Sequence, residues 1–239
     1  MTWPVTGMSA RRWRLRDEQL TETARNMLRH DERLRGTAVE VEFRGGVAHM
    51  TGSVDNEDRL SVVRELIGHL SGVLAVWDRV QINRRTPRIL DIGCGATKQY
   101  PGNIGVDMRQ VPGVDIVADL RMGLPFADSS FDRVFAVHVL EHLADFLPLV
   151  DECHRVLRPG GVLNVLSPWW RYVNAVADPT HLRLLDVQTF KGICDRPGSD
   201  RRWYPLHTGC DGASVFADLR PLAPGEPGPS DHQLARFFD

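Results

Sequence analysis

The stretch Arg88-Ile89-Leu90-Asp91-Ile92-Gly93-Cys94-Gly95 decides the fold of this chain. A short apolar run ends in an acidic residue and breaks into two glycines one residue apart. That is how a buried parallel strand looks when it turns toward a ligand at its carboxyl end. Glycine lets the backbone bend sharply there and approach a ligand with no Cβ in the way. A lone Gly-x-Gly would suit any nucleotide-binding crossover, so the neighbouring segments must specify it.

Outward from this strand the same grammar repeats. Asn103-Ile104-Gly105-Val106-Asp107 is a second strand ending in a carboxylate, which can accept two hydrogen bonds from the vicinal hydroxyls of a ribose. Val114-Asp115-Ile116-Val117-Ala118-Asp119-Leu120 is a third, again ending in Asp, at a height where an acceptor can meet the exocyclic amine of adenine. Arg133-Val134-Phe135-Ala136-Val137 is a fourth, and a helix is expected after it. Leu157-Arg158-Pro159-Gly160-Gly161 then turns into a fifth, Val162 to Leu166. Arg202 to His207 and Ser214 to Leu219 read as an antiparallel edge pair. Taken singly, each strand-end carboxylate could equally be a cap or a turn former.

The run over residues 86–222 resembles a class I S-adenosylmethionine-dependent methyltransferase of the methyltransferase type 11 kind. The pieces that carry the resemblance are Leu90-Asp91-Ile92-Gly93-Cys94-Gly95, Gly105-Val106-Asp107, Leu124-Pro125-Phe126 with Ser130-Phe131-Asp132, Val139-Leu140-Glu141-His142, and Arg155 to Gly161. It implies a cofactor, S-adenosylmethionine, with Asp91, Gly93 and Gly95 lining its methionine part. Asp107 would take the ribose, Asp119 with Leu120 the adenine edge, and His138 would face the cofactor near the transferred methyl. The chain departs from the usual pattern in one place: only Ala96 to Gly102 separate the first two strands, and Pro101-Gly102 spoil any helix there.

Before this region the pattern is different. From Asp17 an apolar helical stripe runs through Leu20, Ala24, Met27 and Leu28. Ala38 to Phe43 alternates with period two, Gly45-Gly46 turns, and Val47 to Val54 returns as a hairpin. A second helix carries Leu60, Val63, Leu66, Ile67 and Leu70, and Val73 to Ile82 gives a third strand. This α-β-β-α-β order, with Gly46-Val47, Gly52-x-Val54 and Gly72-Val73-x-x-Val76, resembles a BON domain. That resemblance implies lipid or ligand contacts, and a homodimer or partner contact is the plainer role for the domain here.

The expected architecture is therefore α/β: a Rossmann-like, doubly wound, mostly parallel seven-stranded sheet preceded by a small α-β-β-α-β domain. Residues 1–16 are expected as a flexible tail with Arg11, Arg12 and Arg14. The first domain spans 17–83, the methyltransferase-like domain 86–222, and a Pro/Gly-rich tail 223–239, whose Leu234, Phe237 and Phe238 could dock back or stay loose.

Composition narrows the function. The net charge is −2, divided as +2 before residue 86 and −4 after it, so neither half offers the basic face that nucleic acid requires. No Asp/Asn-Pro-Pro-Tyr run and no Pro-Cys nucleophile is placed for base methylation. No apolar run is long enough to span a membrane and no secretory leader is visible, so a cytoplasmic protein without membrane contact is the expectation. Cys94, Cys153, Cys194 and Cys210 have neither zinc-site nor disulfide spacing.

These readings favour methyl transfer, to oxygen, on a small-molecule or carbohydrate acceptor. A hydroxyl acceptor is helped by a general base, and the candidates are His181 and His142, with Asp178 orienting His181 or binding the acceptor. A plainer reading makes Asp178-Pro179-Thr180 a turn that caps the helix starting near Asp186, with His142 packed beneath the cofactor. His138, His142, Asp178 and His181 are types that suit zinc or iron, but their spacing is no known ligand run, and no metal is expected. Trp169 and Trp170 could pack on an acceptor ring or simply form a lid. Two rivals stand beside the enzyme: a non-catalytic S-adenosylmethionine-binding regulatory or interaction protein, and a nicotinamide oxidoreductase, which the Leu-Glu-His and Arg-Pro-Gly-Gly pieces oppose.

Overall fold

A computed structural model describes residues 10–238, and the chain divides into two units between Pro87 and Arg88. In the first unit, α1 (Ala10–His30) is followed by β1 (Ala38–Arg44), β2 (Val47–Val54), α2 (Glu57–Gly68), β3 (Ala75–Asp78) and β4 (Gln81–Ile82). β1 and β2 form an antiparallel hairpin closed by Gly45 and Gly46, whose φ angles of 60° and 77° are those of a two-residue hairpin turn. β3 and β4 both run parallel to β2. The expected third strand is thus two short pieces.

Alternation sorts the faces. Val41 and Phe43 of β1 turn inward onto Met50, Leu60, Val63 and Ile67, while Glu40 and Glu42 point out. Asn56 caps α2, accepting the Arg59 N–H at 2.9 Å. Arg64 on α2 donates to the buried Asp78 of β3 at 2.9 Å, so burial of the acid is matched by a partner. Asp17 of α1 accepts from the N–H groups of both turn glycines, Gly45 at 2.7 Å and Gly46 at 2.9 Å.

The first helix corrects the tail expected over residues 1–16. Residues 1–9 lie outside the described residues, but from Ala10 onward the chain is helical. Trp13 is buried, and Arg16 donates to the Gly72 carbonyl at 2.6 Å. Trp13, Leu20 and Ala24 share one stripe of a helix, a signal hidden by the three arginines around Trp13.

The second unit holds β5 (Ile89–Ile92), β6 (Ile104–Asp107), β7 (Ile116–Val117), β8 (Phe131–Val137), β9 (Leu157–Pro168), β10 (Trp203–Cys210) and β11 (Ser214–Pro221). They form one seven-stranded sheet in the order β10-β11-β9-β8-β5-β6-β7. The pairs β9/β8, β8/β5, β5/β6 and β6/β7 are parallel; only β11 runs against its neighbours. The chain leaves β5 to one side for β6 and returns on the other for β8. Their shared carboxyl ends are therefore the topological switch point, where open α/β sheets bind ligands. Every residue of β8 from Phe131 to Ala136 is buried, as a central parallel strand requires.

α3 (Leu147–Val156), α4 (Val173–Ala177), α5 (Val187–Cys194) and α6 (Asp231–Phe238) complete the unit. Trp203, Phe131, Phe190, Leu90 and Ile92 form the centre of its core. Two expectations change. The third strand shrinks to Ile116–Val117, because Asp119 bends the chain by capping a 3-10 turn, Leu120–Met122. The helix expected right after β8 is a three-residue 3-10 turn, Leu140–His142, and the true helix starts at Leu147. Of the two courses left open for the terminal segment, docking holds: α6 places Leu234 and Phe238 in the core. No helix among the described residues is long and apolar enough to cross a membrane.

Asp17→Ala removes the acceptor for two backbone donors at the hairpin turn. Loss of about 1–3 kcal/mol of local stability is expected, read as faster hydrogen exchange of the 38–54 amides in the intact chain.

Candidate active site

Five strand tips meet at the switch point. From β5, Asp91 is buried, and its Oδ2 accepts the Gln99 N–H at 2.5 Å and the Asn103 amide at 3.4 Å. The carboxylate therefore ties down the loop between β5 and β6, where the usual helix is absent. Tyr100 of the same loop packs edge-on against Phe135, with ring centroids 5.7 Å apart. Burial pushes the Asp91 carboxyl up to about 6, against the Gln99 N–H and the Asn103 amide that pull it down.

The two glycines serve different needs. Gly93, at φ 61°, lies under Val139, and a Cβ there would meet Val139 Cγ2 at 2.7 Å. Gly95, at φ 54°, faces open space apart from the Arg109 guanidinium at 3.6 Å, which leaves its backbone accessible to a ligand. The Gly95 N–H donates to Asp107 Oδ2 at 2.9 Å, and the Arg109 N–H donates to Oδ1 at 2.9 Å. Burial raises the Asp107 carboxyl, but these two amides and the Arg109 side chain outweigh it and hold it below its ordinary range. Oδ1 also accepts the Arg109 Nε–H at 3.4 Å, so it is Oδ2 that keeps a second lone pair for a further donor.

Asp119 stands apart from this group. Its carboxylate is paired with Arg121 at 2.7 Å and accepts the Arg121 N–H at 3.0 Å. The hydrogen-bonded Arg121 guanidinium holds its carboxyl down at about 2. Leu120, which opens the 3-10 turn, is half-buried.

On the other side of β5, His138 ends β8 in a left-handed conformation, φ 57°, which is strained for a residue with a side chain. Its Nδ1 lies 3.1 Å from Glu141 Oε1. Glu141 is 1% exposed, and its Oε2 accepts the Ser167 hydroxyl from the tip of β9 at 2.7 Å. Burial drives the Glu141 carboxyl up, yet His138 and Ser167 more than cancel this and leave it below its ordinary range. The backbone carbonyl of Glu141 also accepts from Leu182 and Arg183, at 2.7 and 3.0 Å, which pulls the 178–183 loop onto the end of β8.

That loop brings the three residues expected on the acceptor side together. His142 and His181 lie edge to face with centroids 4.8 Å apart. Asp178 Oδ2 is 3.7 Å from His181 Nε2, while its Oδ1 accepts the Thr180 N–H at 2.8 Å and hydroxyl at 2.6 Å. Thr180 holds the Asp178 carboxyl below its ordinary range. The helix that follows is capped by Asp186 in a box with Thr189, so Asp178 does not serve as its cap. Trp169 is tied to that cap through Nε1, at 2.7 Å from Asp186 Oδ2, whereas Trp170 is exposed with Arg171 stacked 4.8 Å from its centroid.

Sequence reasoning missed Glu141, Ser167 and Arg109. Glu141 stood in a quoted motif, but nothing in its spacing told that its carboxylate turns inward to join the tips of β8 and β9.

A seven-stranded sheet with one reversed strand and a glycine turn at the switch point places the unit from Arg88 onward in the Rossmann-like class. Comparison with known families is specific: residues 90–165 match the methyltransferase domain, and residues 16–84 match the BON domain. The second unit is thus similar to a methyltransferase domain over residues 90–165, and the first to a BON domain over residues 16–84. It is 40% identical over 98 residues to a probable S-adenosylmethionine-dependent methyltransferase of Mycolicibacterium smegmatis, covering 34% of this chain and 37% of that one. It is 33% identical over 100 residues to an O-methyltransferase of Penicillium expansum, covering 32% and 36%. A solved SAM-dependent methyltransferase from Aquifex aeolicus aligns with a TM-score of 0.46 and 14% identity, over 57% of this chain and 82% of that one. The chain spans less than half the length of the curated relatives it matches.

A raised Asp91 carboxyl means that the folded chain takes up a proton below about pH 6, while the unfolded chain waits until about 3.8. Asp91 therefore adds stability as pH falls through this window, and the gain is lost again as pH rises through 6. Asp91→Asn keeps an acceptor for Gln99 without the charge. The stability difference between wild type and variant should change by on the order of 2–3 kcal/mol between pH 7 and pH 4, measured by urea unfolding; a flat difference would contradict the burial assigned to this carboxylate.

Proposed function

We propose that the unit from Arg88 onward transfers a methyl group from S-adenosylmethionine to a hydroxyl of a small-molecule or carbohydrate acceptor. The observation that carries this reading is the Asp107 clamp: a β6 carboxylate holds the open Gly95 turn of β5 and keeps a lone pair on Oδ2 for a further donor. The residues suit the nucleoside. Gly95 leaves room for backbone approach, Asp107 would receive the ribose hydroxyls, and Gly93 would keep the turn packed on Val139. Asp91 would act on the methionine end indirectly, through the loop it pins. Asp119 would reach the adenine edge only by sharing its carboxylate with Arg121.

When bound, the cofactor supplies an electrophilic methyl on a sulfonium whose leaving group needs no proton. The protein's task is then orientation: holding an acceptor oxygen in line with that methyl. His138, held by Glu141, borders this position, and the His142–Asp178–His181 group lies on the acceptor side. The exposed face of Trp170 would offer an apolar surface to an acceptor ring. We read the BON domain as a contact module for a partner or a second copy.

Asp107→Ala should weaken S-adenosylhomocysteine binding by about 1–3 kcal/mol in calorimetric titration. An analogue lacking the ribose hydroxyls should show no such loss, and equal losses for both ligands would refute the ribose contact. His181→Ala should cut turnover at least tenfold across an alcohol acceptor panel while S-adenosylhomocysteine affinity stays within twofold, by the usual reading of effects confined to the chemical step. Loss of cofactor affinity instead would move His181 off the acceptor side.

A further inference from the structure

The two histidines share a feature that a simple acid–base role does not require. His142 turns its Nδ1 to the Thr180 carbonyl at 3.2 Å and to the Thr180 hydroxyl oxygen at 3.1 Å. His181 turns its Nδ1 to the Ala175 carbonyl, also at 3.2 Å. A carbonyl only accepts, so in each ring Nδ1 carries a hydrogen, and in the neutral ring Nε2 keeps its lone pair. Backbone carbonyls fix the tautomer of metal-ligating histidines in this same way. The Nε2 lone pair of His181 then faces a carboxylate oxygen of Asp178 at 3.7 Å, with no ring hydrogen between them. A proton or a metal ion would bridge two electron-rich atoms in that relation.

A third donor completes the set. One ligand atom from each of Glu141, His142 and His181 lies within 4.8 Å of the others. Glu141 is buried, with His138 and Ser167 orienting its two oxygens as outer partners orient a ligating carboxylate. Each carboxylate oxygen still has a lone pair to give.

We propose that Glu141, His142 and His181 bind a divalent transition-metal ion at the mouth of the crevice, with Asp178 beside it. Two imidazoles and one carboxylate suit zinc or ferrous iron, and are poor ligands for magnesium or calcium, which prefer all-oxygen shells. Bonds of about 2.0–2.2 Å put the ligand atoms of a tetrahedral ion roughly 3.4 Å apart. The site must therefore tighten on loading, and His142, exposed on its 3-10 turn, is the member with room to move. Three protein ligands leave a position open. An acceptor hydroxyl there would lose its proton more readily, a consequence that rests on the methyl-transfer reading, whereas the metal site itself does not.

The test uses the full chain without an affinity tag, freed of metal by chelation. Titration with cobalt(II) should give visible ligand-field bands of a low-coordinate site, and zinc(II) should displace them. His142→Ala, a change at an exposed side chain, should weaken binding at or beyond the roughly 10–100-fold that loss of an outer partner costs. His181→Ala should do the same, and Cys94→Ser, a change outside the trio, should leave the bands unaltered. Absent bands, or bands that persist in both histidine variants, would overturn the site. S-adenosylhomocysteine titration on the same preparation separates the two claims: cofactor binding without cobalt binding removes the metal alone, and cobalt binding without cofactor binding removes the methyl-transfer reading alone.

Discussion

The unit from Arg88 onward depends on one buried carboxylate holding a loop where a helix would ordinarily stand. In most βαβ crossovers the helix covers the sheet and satisfies its own backbone. Here the stretch between β5 and β6 is irregular, and Asp91 takes over part of that work by accepting the Gln99 N–H and the Asn103 amide. Lys98 adds an ion pair to Asp115 at 2.9 Å, and Tyr100 fills the space against Phe135. The arrangement costs desolvation of a charge, and the raised Asp91 carboxyl is the sign of that cost. In exchange, the glycine turn and the tip of β6 are held in register, so that Gly95 and Asp107 can meet.

Much of this was legible in the sequence because it follows from period and punctuation. Buried parallel strands read as apolar runs, and their ends as glycine or aspartate, so β5, β6, β8 and β9 stood out. The hairpin of the first unit announced itself through Gly45-Gly46 between alternating strands. What escaped has identifiable causes. Trp13 lies among arginines that conceal its helical stripe. β7 has only two paired residues because Asp119 prefers to cap a turn. The segment after β8 holds the helix-compatible residues Leu140-Glu141-His142, yet tertiary bonds from Leu182 and Arg183 to the Glu141 carbonyl keep it as a single turn.

The site divides along the same line. Residues whose roles follow from backbone geometry, Gly93, Gly95 and Asp107, were found at their strand tips. Of those whose roles depend on distant segments, His142, Asp178 and His181 were grouped from the sequence, whereas Glu141 and Ser167 were not. Glu141 reaches Ser167 across two strands, and His142 meets His181 only because the 178–183 loop folds back. Sequence spacing carries no trace of such pairings, which arise from chain reversal after the fifth parallel strand. Asp119 differs in another way: the strand stops at Val117, and the Asp119 carboxylate caps the 3-10 turn and pairs with Arg121.

The helix-free crossover has an evolutionary corollary. Eleven residues, 93–103, join two parallel neighbours, close to the shortest span such a connection can have. Lengthening this bridge costs little, since closure entropy grows only slowly with length. Trimming even a few positions would leave the second strand out of reach of the first. Descendants of this lineage can therefore gain ornament at that point, but they have almost no slack to lose.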